Sequence, residues 1–530
     1  MTRLGLLAAV VAGSLVFASP GKAQDPAADL VIAQRAAATS LDPHYQNYGP
    51  NLMMAAHVFD RLVHQGASQR LVPGLAVAWR LVDPLTWEFD LRPGVTFHDG
   101  SPLTTADVIA SWRRAVRMTG HSSISFFARV IADMQPVAPL TLRITTRAPA
   151  PLLPHTVNQI VIIPARLEDA STADFESGAA MVGTGPFRFE SWDKGHSVRL
   201  SRNAAWWGGE VTWDTVELRA IPDDADRIAA LYDSRVDVID TVPPADVERL
   251  EASSLLRVVG TPTSRIIYLG FDVGQEVPPG TTAADGGPLV ANPFRDLKVR
   301  RAVAQAINRA ALVRDSLEGQ GVEAAQVVLP GLFGAAPDLA PMPFDPAGAR
   351  ALLAEAGYPG GFRTTLNCTR QRYVNDEQVC SAIALMLTGV GIQTHTEFFP
   401  GGEFFDRAAK GEFALRLAGW GTGTGEASYT LRGLLGTRDM EAGTGVSNFG
   451  HYSNPVLDDA VTAAVATFDP ADREAALAEA SRRAAADLGV VPLYFQMALW
   501  AMRPDLTYAA TNDEFTQAIL VERALAERAP

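Results

Sequence analysis

A chain of 530 residues, 47% hydrophobic and 20% charged, has the composition of a soluble globular protein with ample core. It is too long for one domain and suggests roughly two to four at ~150 residues each. Its formal net charge is −14, 45 basic against 59 acidic side chains, with no long run of Lys or Arg. That argues against nucleic-acid binding, which rests on clustered positive charge.

Met1-Thr-Arg3 is a short positive start, residues 4–18 form an uncharged apolar run, and Gly21 and Ala23 are small residues that suit cleavage before Gln24. Residues 1–23 therefore read as a secretory signal peptide. A retained anchor is the competing reading, but the run is shorter than the ~20 apolar residues a span needs. No cysteine follows it to carry a lipid, and no later stretch is long and apolar enough to cross a membrane. An exported protein without a lipid anchor is expected.

Residues 29–33 read as a strand and 41–50 as a turn carrying Tyr45, followed by a helix over 52–62. Residues 86–91 alternate, with Trp87, Phe89 and Leu91 on one strand face. Thr104 and Asp107 have capping-box spacing and open a helix to about Met118, closed by Gly120. A strand over 141–145 and a proline-rich loop over 149–154 come next, then short strands that include 198–200 and 216–221, and a helix over 225–232. Residues 278–288, rich in Gly, Thr and Ala, read as a mobile surface insertion. Strongly marked helices follow: 299–313 behind Asp296, one from Asp345-Pro346 to Gly357, and one from Asp469-Pro470 to Gly489.

Residues 362–417 are the most informative. Strand 362–367, helix 376–387, strand 392–398, helix 403–409 and strand 413–417 alternate with short loops. A β-α-β-α-β run implies parallel strands with right-handed crossovers, and ligands bind beyond the carboxyl ends of such strands. The loops 369–373, 399–402 and 419–429 meet there, so Arg370, Phe399, Trp420 and Glu426 could share one rim. The last loop has glycine at 419, 421, 423 and 425, which lets backbone approach a ligand closely. A guanidinium and a carboxylate on one rim suit a zwitterion. Two bland alternatives stay open: Trp420 packs in the core, and Arg370 and Glu426 pair with each other or face water. Cys368 and Cys380, the two cysteines, fit either one disulfide or two separate buried thiols.

Enzyme readings find little support. Nine histidines are scattered without a His-Glu-x-x-His motif, and neither a nucleotide-binding lysine loop nor a Gly-x-Gly-x-x-Gly run is present. Ser191 and Lys194 match Ser-x-x-Lys, but the motifs that accompany it in penicillin-recognising enzymes are missing. No catalytic residue, metal or cofactor is assigned.

The stretch from Gly74 to Val108, which includes Trp87-Glu-Phe-Asp-Leu-Arg-Pro-Gly-Val-Thr-Phe-His-Asp-Gly100, resembles the signature of family 5 extracellular solute-binding proteins. Leu41-Asp-Pro43, Gly183-Thr-Gly-Pro-Phe187, Val299-Arg-Arg-Ala302, Ala306-Ile-Asn308, Gly357-Tyr358 and Tyr452-Ser-Asn-Pro455 agree along the mature chain. The family comprises the oligopeptide- and dipeptide-binding components of ABC importers. The resemblance implies an α/β, bilobed periplasmic-binding-protein-like fold with parallel-rich mixed sheets and three domains. These are a discontinuous lobe I (24–55, 170–265 and 500–530), an inserted domain II (56–169) and a lobe III (266–499). It also implies a periplasmic monomer that encloses a short peptide or small molecule between lobes and delivers it to an inner-membrane ABC permease. Glu426 falls where the family places an aspartate for the peptide ammonium, and Arg370 matches an arginine used for the ligand carboxylate. Phe399, Trp420, Tyr429 and Tyr45 complete the candidate ligand contacts. Family members also bind nickel chelates, opines, glutathione or sugars, and an exported sensor or holdase is a further alternative.

Overall fold

The computed structural model describes residues 29–119 and 124–524. The signal-peptide reading and Gly120 lie outside the described residues.

A twelve-stranded mixed sheet runs through the molecule, and a separate four-stranded antiparallel sheet stands beside it. The centre of the large sheet is a pair of long antiparallel strands, Arg257–Phe271 and Val490–Met502. Val490–Met502 is almost continuously apolar and largely buried, as are residues 266–271, whereas residues 257–265 carry Thr, Ser and Arg side chains and are mostly part-exposed. At one end of this pair Val238 and Ile239 lead to Leu30–Gln34, Thr215–Ala220, Ser197–Arg202 and Phe187–Asp193. At the other, Arg257–Phe271 pairs with Leu415–Gly421, which leads to Phe362–Arg370 and Ile392–Pro400. The register of the central pair breaks between Pro262 and Ile266. A bulge of this kind bends a strand and re-aims its side chains. Here it falls between the two halves of the sheet.

Within residues 362–421 the strands are parallel and joined by the helices Asp376–Gly389 and Gly401–Ala409. The other parallel pairings flank Leu30–Gln34, and the remaining ladders of the large sheet are antiparallel. Cys368 at the end of one strand and Cys380 in the next helix form a disulfide, with Cα atoms 6.5 Å apart.

The four-stranded sheet has the order Ala76–Asp83, Thr86–Leu91, Thr141–Thr146, Ile131–Ala138. Trp87, Phe89 and Leu91 are buried beneath helix Thr105–Arg117, with Leu142 and Ile144 in the same core. That helix starts with the expected capping box: the Asp107 carboxylate accepts from the Thr104 N–H at 2.7 Å.

Several local features depart from the sequence reading. The helix read over 299–313 breaks at Ile307 into Leu297–Ala306 and a short helix from Arg309, and the one read over 52–62 spans Gly49–Val58. Residues 278–288 are not simply a surface loop, because Thr282–Ala283 adds an edge strand to Phe362–Arg370 and the Thr281 and Thr364 hydroxyls meet at 3.0 Å. Helix Pro470–Asp487 closes on Leu488 in the left-handed conformation, while Gly489 is needed for space: a Cβ there would sit 2.8 Å from the Tyr452 ring. The strand that begins near Phe413 extends through Gly419, Trp420 and Gly421, so the glycine-rich loop starts later than the residue types suggest. A side chain on Gly419 would strike the Tyr373 ring at 2.7 Å and Ile267 at 2.8 Å. Its role is close packing inside the sheet.

Candidate binding site

A cavity of about 300 Å³ lies at the bulge, where the two halves of the large sheet and the four-stranded-sheet region converge. It is at the lower bound of the ~300–1,000 Å³ common for small-molecule sites. Arg61, Gln69, Ser264, Arg265, Tyr429 and Asp513 contribute to its walls.

The bulge explains how residues distant in the chain meet there. With the ladder interrupted, the Ser264 N–H donates to the Asn512 carbonyl at 3.1 Å, and the Asn512 side chain returns a hydrogen bond to the Pro262 carbonyl. This stitches the segment after Tyr508 onto the broken strand and presents Asp513 and Glu514 to the cavity. Gln69 donates to the Ser264 hydroxyl at 3.2 Å, and Arg70 pairs with Glu474 at 2.6 Å. Gly425, at φ +70°, lies against Gln69, and a Cβ there would come within 2.4 Å of the Gln69 carbonyl. Only glycine fits both the conformation and the gap.

Among the described residues Arg61 and Asp513 line the cavity without an ion pair, although each feels the charge of the other. Asp60, beside Arg61, is committed elsewhere: its carboxylate accepts from Thr184 at 2.9 Å and Trp207 at 2.7 Å, and His64 lies 3.3 Å away. The Arg61 side chain makes no hydrogen bond or ion pair among the described residues, although it feels the charges of Asp513 and Asp60. Asp513 accepts from the Thr511 hydroxyl at 2.5 Å and the Phe515 N–H at 3.0 Å, both on Oδ1, which leaves Oδ2 without a protein partner among the described residues. Burial pulls Arg61 below the ordinary arginine range and pushes Asp513 above the usual carboxylate range. Each charge is half-buried and partly desolvated, a cost that a counter-charge would relieve.

The residues singled out from the sequence are dispersed. Tyr429 lines the cavity. Trp420 stands behind it, half-buried, with ring centroids 5.4 Å apart. Glu426 does not share a rim with Arg370: it is fully buried at the start of the short helix Ala427–Thr430, because its backbone bridges to Phe333 inside the lobe. Its carboxylate accepts from Ser428 at 2.8 Å, with Arg473 at 3.4 Å and His155 at 3.7 Å. Burial pushes this carboxyl up, opposed by the Arg473 charge. Arg370 is exposed and pairs with Glu377 at 3.1 Å. Phe399 packs in the core, stacked on Phe413 at 5.4 Å with Arg407 over its ring. Tyr45 is exposed in its turn and lies off the cavity wall. The sequence reading missed Arg61, Asp513, Arg265 and Glu514. One signal was available for the first: Asp60-Arg61 interrupts an apolar run from Val58 to Val63, and charges inside such a run mark buried polar business.

Comparison with known proteins places this geometry in context. Residues 70–442 match the family model described as "Bacterial extracellular solute-binding proteins, family 5 Middle". The glutathione-binding protein GsiB of Pectobacterium atrosepticum is 30% identical over 498 residues, covering 92% of this chain and 91% of that protein. Two solved structures share the fold. The ABC transporter-associated periplasmic binding protein DppA from Helicobacter pylori, in complex with the peptide STSA, matches with TM-score 0.73 and 23% identity over 93% of this chain and 98% of that one. The ABC transporter substrate-binding protein CtaP of Listeria monocytogenes matches with TM-score 0.80 and 18% identity over 93% and 99%.

Proposed function

The chain belongs to the family 5 bacterial extracellular solute-binding proteins, and from that premise we propose that it captures a short zwitterionic peptide, of dipeptide to glutathione size, at the cavity beside the bulge. Arg61 and Asp513 carry this reading. A ligand carboxylate satisfies the guanidinium, a ligand ammonium satisfies Oδ2 of Asp513, and both ligand charges replace water lost on burial. Tyr429 supplies an apolar wall beside them.

In this reading the protein is a binder and not an enzyme. It works as a monomer in the periplasm, and the three segments drawn from the sequence move as bodies. The two long central strands flex at the register break, the lobes swing together over the ligand, and the closed form is handed to an inner-membrane ABC permease. Among the described residues no helix is long and apolar enough to cross a membrane. The relative is a glutathione-binding protein, which makes glutathione the first ligand to try.

The test is mass spectrometry of whatever copurifies with the protein, followed by titration calorimetry of the stripped protein with glutathione and dialanine. Saturable one-to-one binding of either supports the reading. A copurifying metal chelate or sugar, with no peptide binding, overturns it.

A further inference from the structure

A second cavity, of about 280 Å³, adjoins the first. Arg265 and Glu514 are the two residues that line both. They face each other in a two-pronged ion pair, Arg265 Nε to Oε1 at 3.0 Å and a terminal nitrogen to Oε2 at 2.9 Å. We propose that this pair is a septum that sets ligand length: short peptides occupy the first chamber, and longer ones enter the second only when the pair is displaced.

Position and chemistry both support a movable wall. Arg265 is the last residue of the strand bulge, next to where the register resumes at Ile266. Glu514 sits at φ +67°, a conformation that non-glycine residues seldom adopt and that turns its carboxylate back across the cleft. The two side chains keep 31% and 35% of their surface exposed, since each faces open space on both sides. With about a third of each side chain exposed, water or ligand groups reach both partners and can replace the contacts of the pair. The wholly buried Glu426–Arg473 pair has no such freedom, with 0% and 6% exposed.

The second chamber also has its own chemical preference. Arg35 and Arg372 line it together with Asp240, whose carboxylate accepts from the Arg35 backbone N–H at 2.9 Å and feels the Arg35 charge. Neither guanidinium has an ion-pair partner among the described residues. Arg372 instead lies over the rings of Tyr373 and Phe405, at 5.6 and 5.0 Å. A peptide that crosses the septum with its carboxylate leading meets two available cations.

The proposal rests on the peptide reading above, and the experiment separates the two. Dialanine, trialanine and tetraalanine are titrated into the wild-type protein and into the double variant Arg265→Met/Glu514→Gln, with circular dichroism confirming the fold. The wild type is expected to prefer the shorter peptides, and the double variant to raise the tetraalanine-to-dialanine affinity ratio by about tenfold. Arg265→Lys, which keeps the charge but loses the fork, is expected to give an intermediate ratio and decides the matter if the double variant does not fold. Wild-type binding with a ratio unchanged in the variants overturns the septum and leaves the peptide reading standing. Failure of the wild type to bind any alanine peptide or glutathione overturns both.

Discussion

Glu426 is fully buried and Asp513 half-buried, each carboxylate has an arginine in its neighbourhood, and desolvation raises both above the usual carboxylate range. Their surroundings differ. Glu426 Oε1 accepts from Ser428 at 2.8 Å. Its Oε2 makes no hydrogen bond among the described residues and is held only by the charge of Arg473 at 3.4 Å, with His155 at 3.7 Å, and Glu426 lines neither of the two cavities. Asp513 opens onto a cavity, keeps one oxygen without a protein partner, and is not within ion-pair distance of Arg61. The first cluster is closed chemistry that ties helix Pro470–Asp487 and the His155 region to the glycine loop. The second is open chemistry. A buried charge already matched inside the protein holds structure together, and one left unmatched at a cavity wall is available to a ligand.

This contrast predicts opposite mutant phenotypes. The largest effect is expected at Glu426→Ala, which leaves Arg473 buried and uncompensated and costs about 3–5 kcal/mol of folding stability in a urea titration. Retention of full stability together with loss of ligand binding would reverse the roles assigned to the two carboxylates. Removing the disulfide with Cys368→Ala/Cys380→Ala sharpens the stability side: freeing its short loop is expected to cost about 3 kcal/mol without altering ligand affinity in calorimetry.

A pH effect comes next. His155 is pulled down from 6.5 to about 3 by burial and the Arg473 charge. A depressed histidine pKa contributes stability that is fully present above pH 6.5 and is lost as pH falls towards about 3. Glu426, raised by burial, works in the opposite sense, so the histidine contribution is isolated by comparing wild type with His155→Asn. The urea midpoint of the wild type is expected to fall more steeply than the variant's on acidification below pH 6.5. Parallel curves would mean that His155 remains solvated. The smallest effect is expected at Arg370→Ala, an exposed ion pair worth no more than about 0.5 kcal/mol, with ligand affinity unchanged.

Much of the fold could be read from local pattern. Capping at Thr104, Asp345 and Asp469 and the alternation over residues 362–417 rest on physics that acts within a few residues. Gly419 misled because glycine in a strand and glycine in a loop look alike until the Tyr373 ring fills the space where a Cβ would stand. The site was harder for a related reason. Glu426 stood out as a carboxylate in a glycine-rich stretch, but Arg473 and His155, which neutralise its surroundings, come from other elements. Asp513 and Arg61 lie near opposite ends of the chain and converge through the register break at Pro262–Ile266, a tertiary event that leaves no periodic mark.

Titration calorimetry with blocked and unblocked dipeptides tests the assignment of ligand charge most directly. Asp513→Asn is expected to cost about 2–5 kcal/mol for a free-amine dipeptide and to leave an N-acetylated one unchanged, while Arg61→Gln is expected to discriminate a free carboxylate from its amide in the same way. Undiminished affinity in both variants, with the loss appearing instead in Glu426→Gln, would contradict the account.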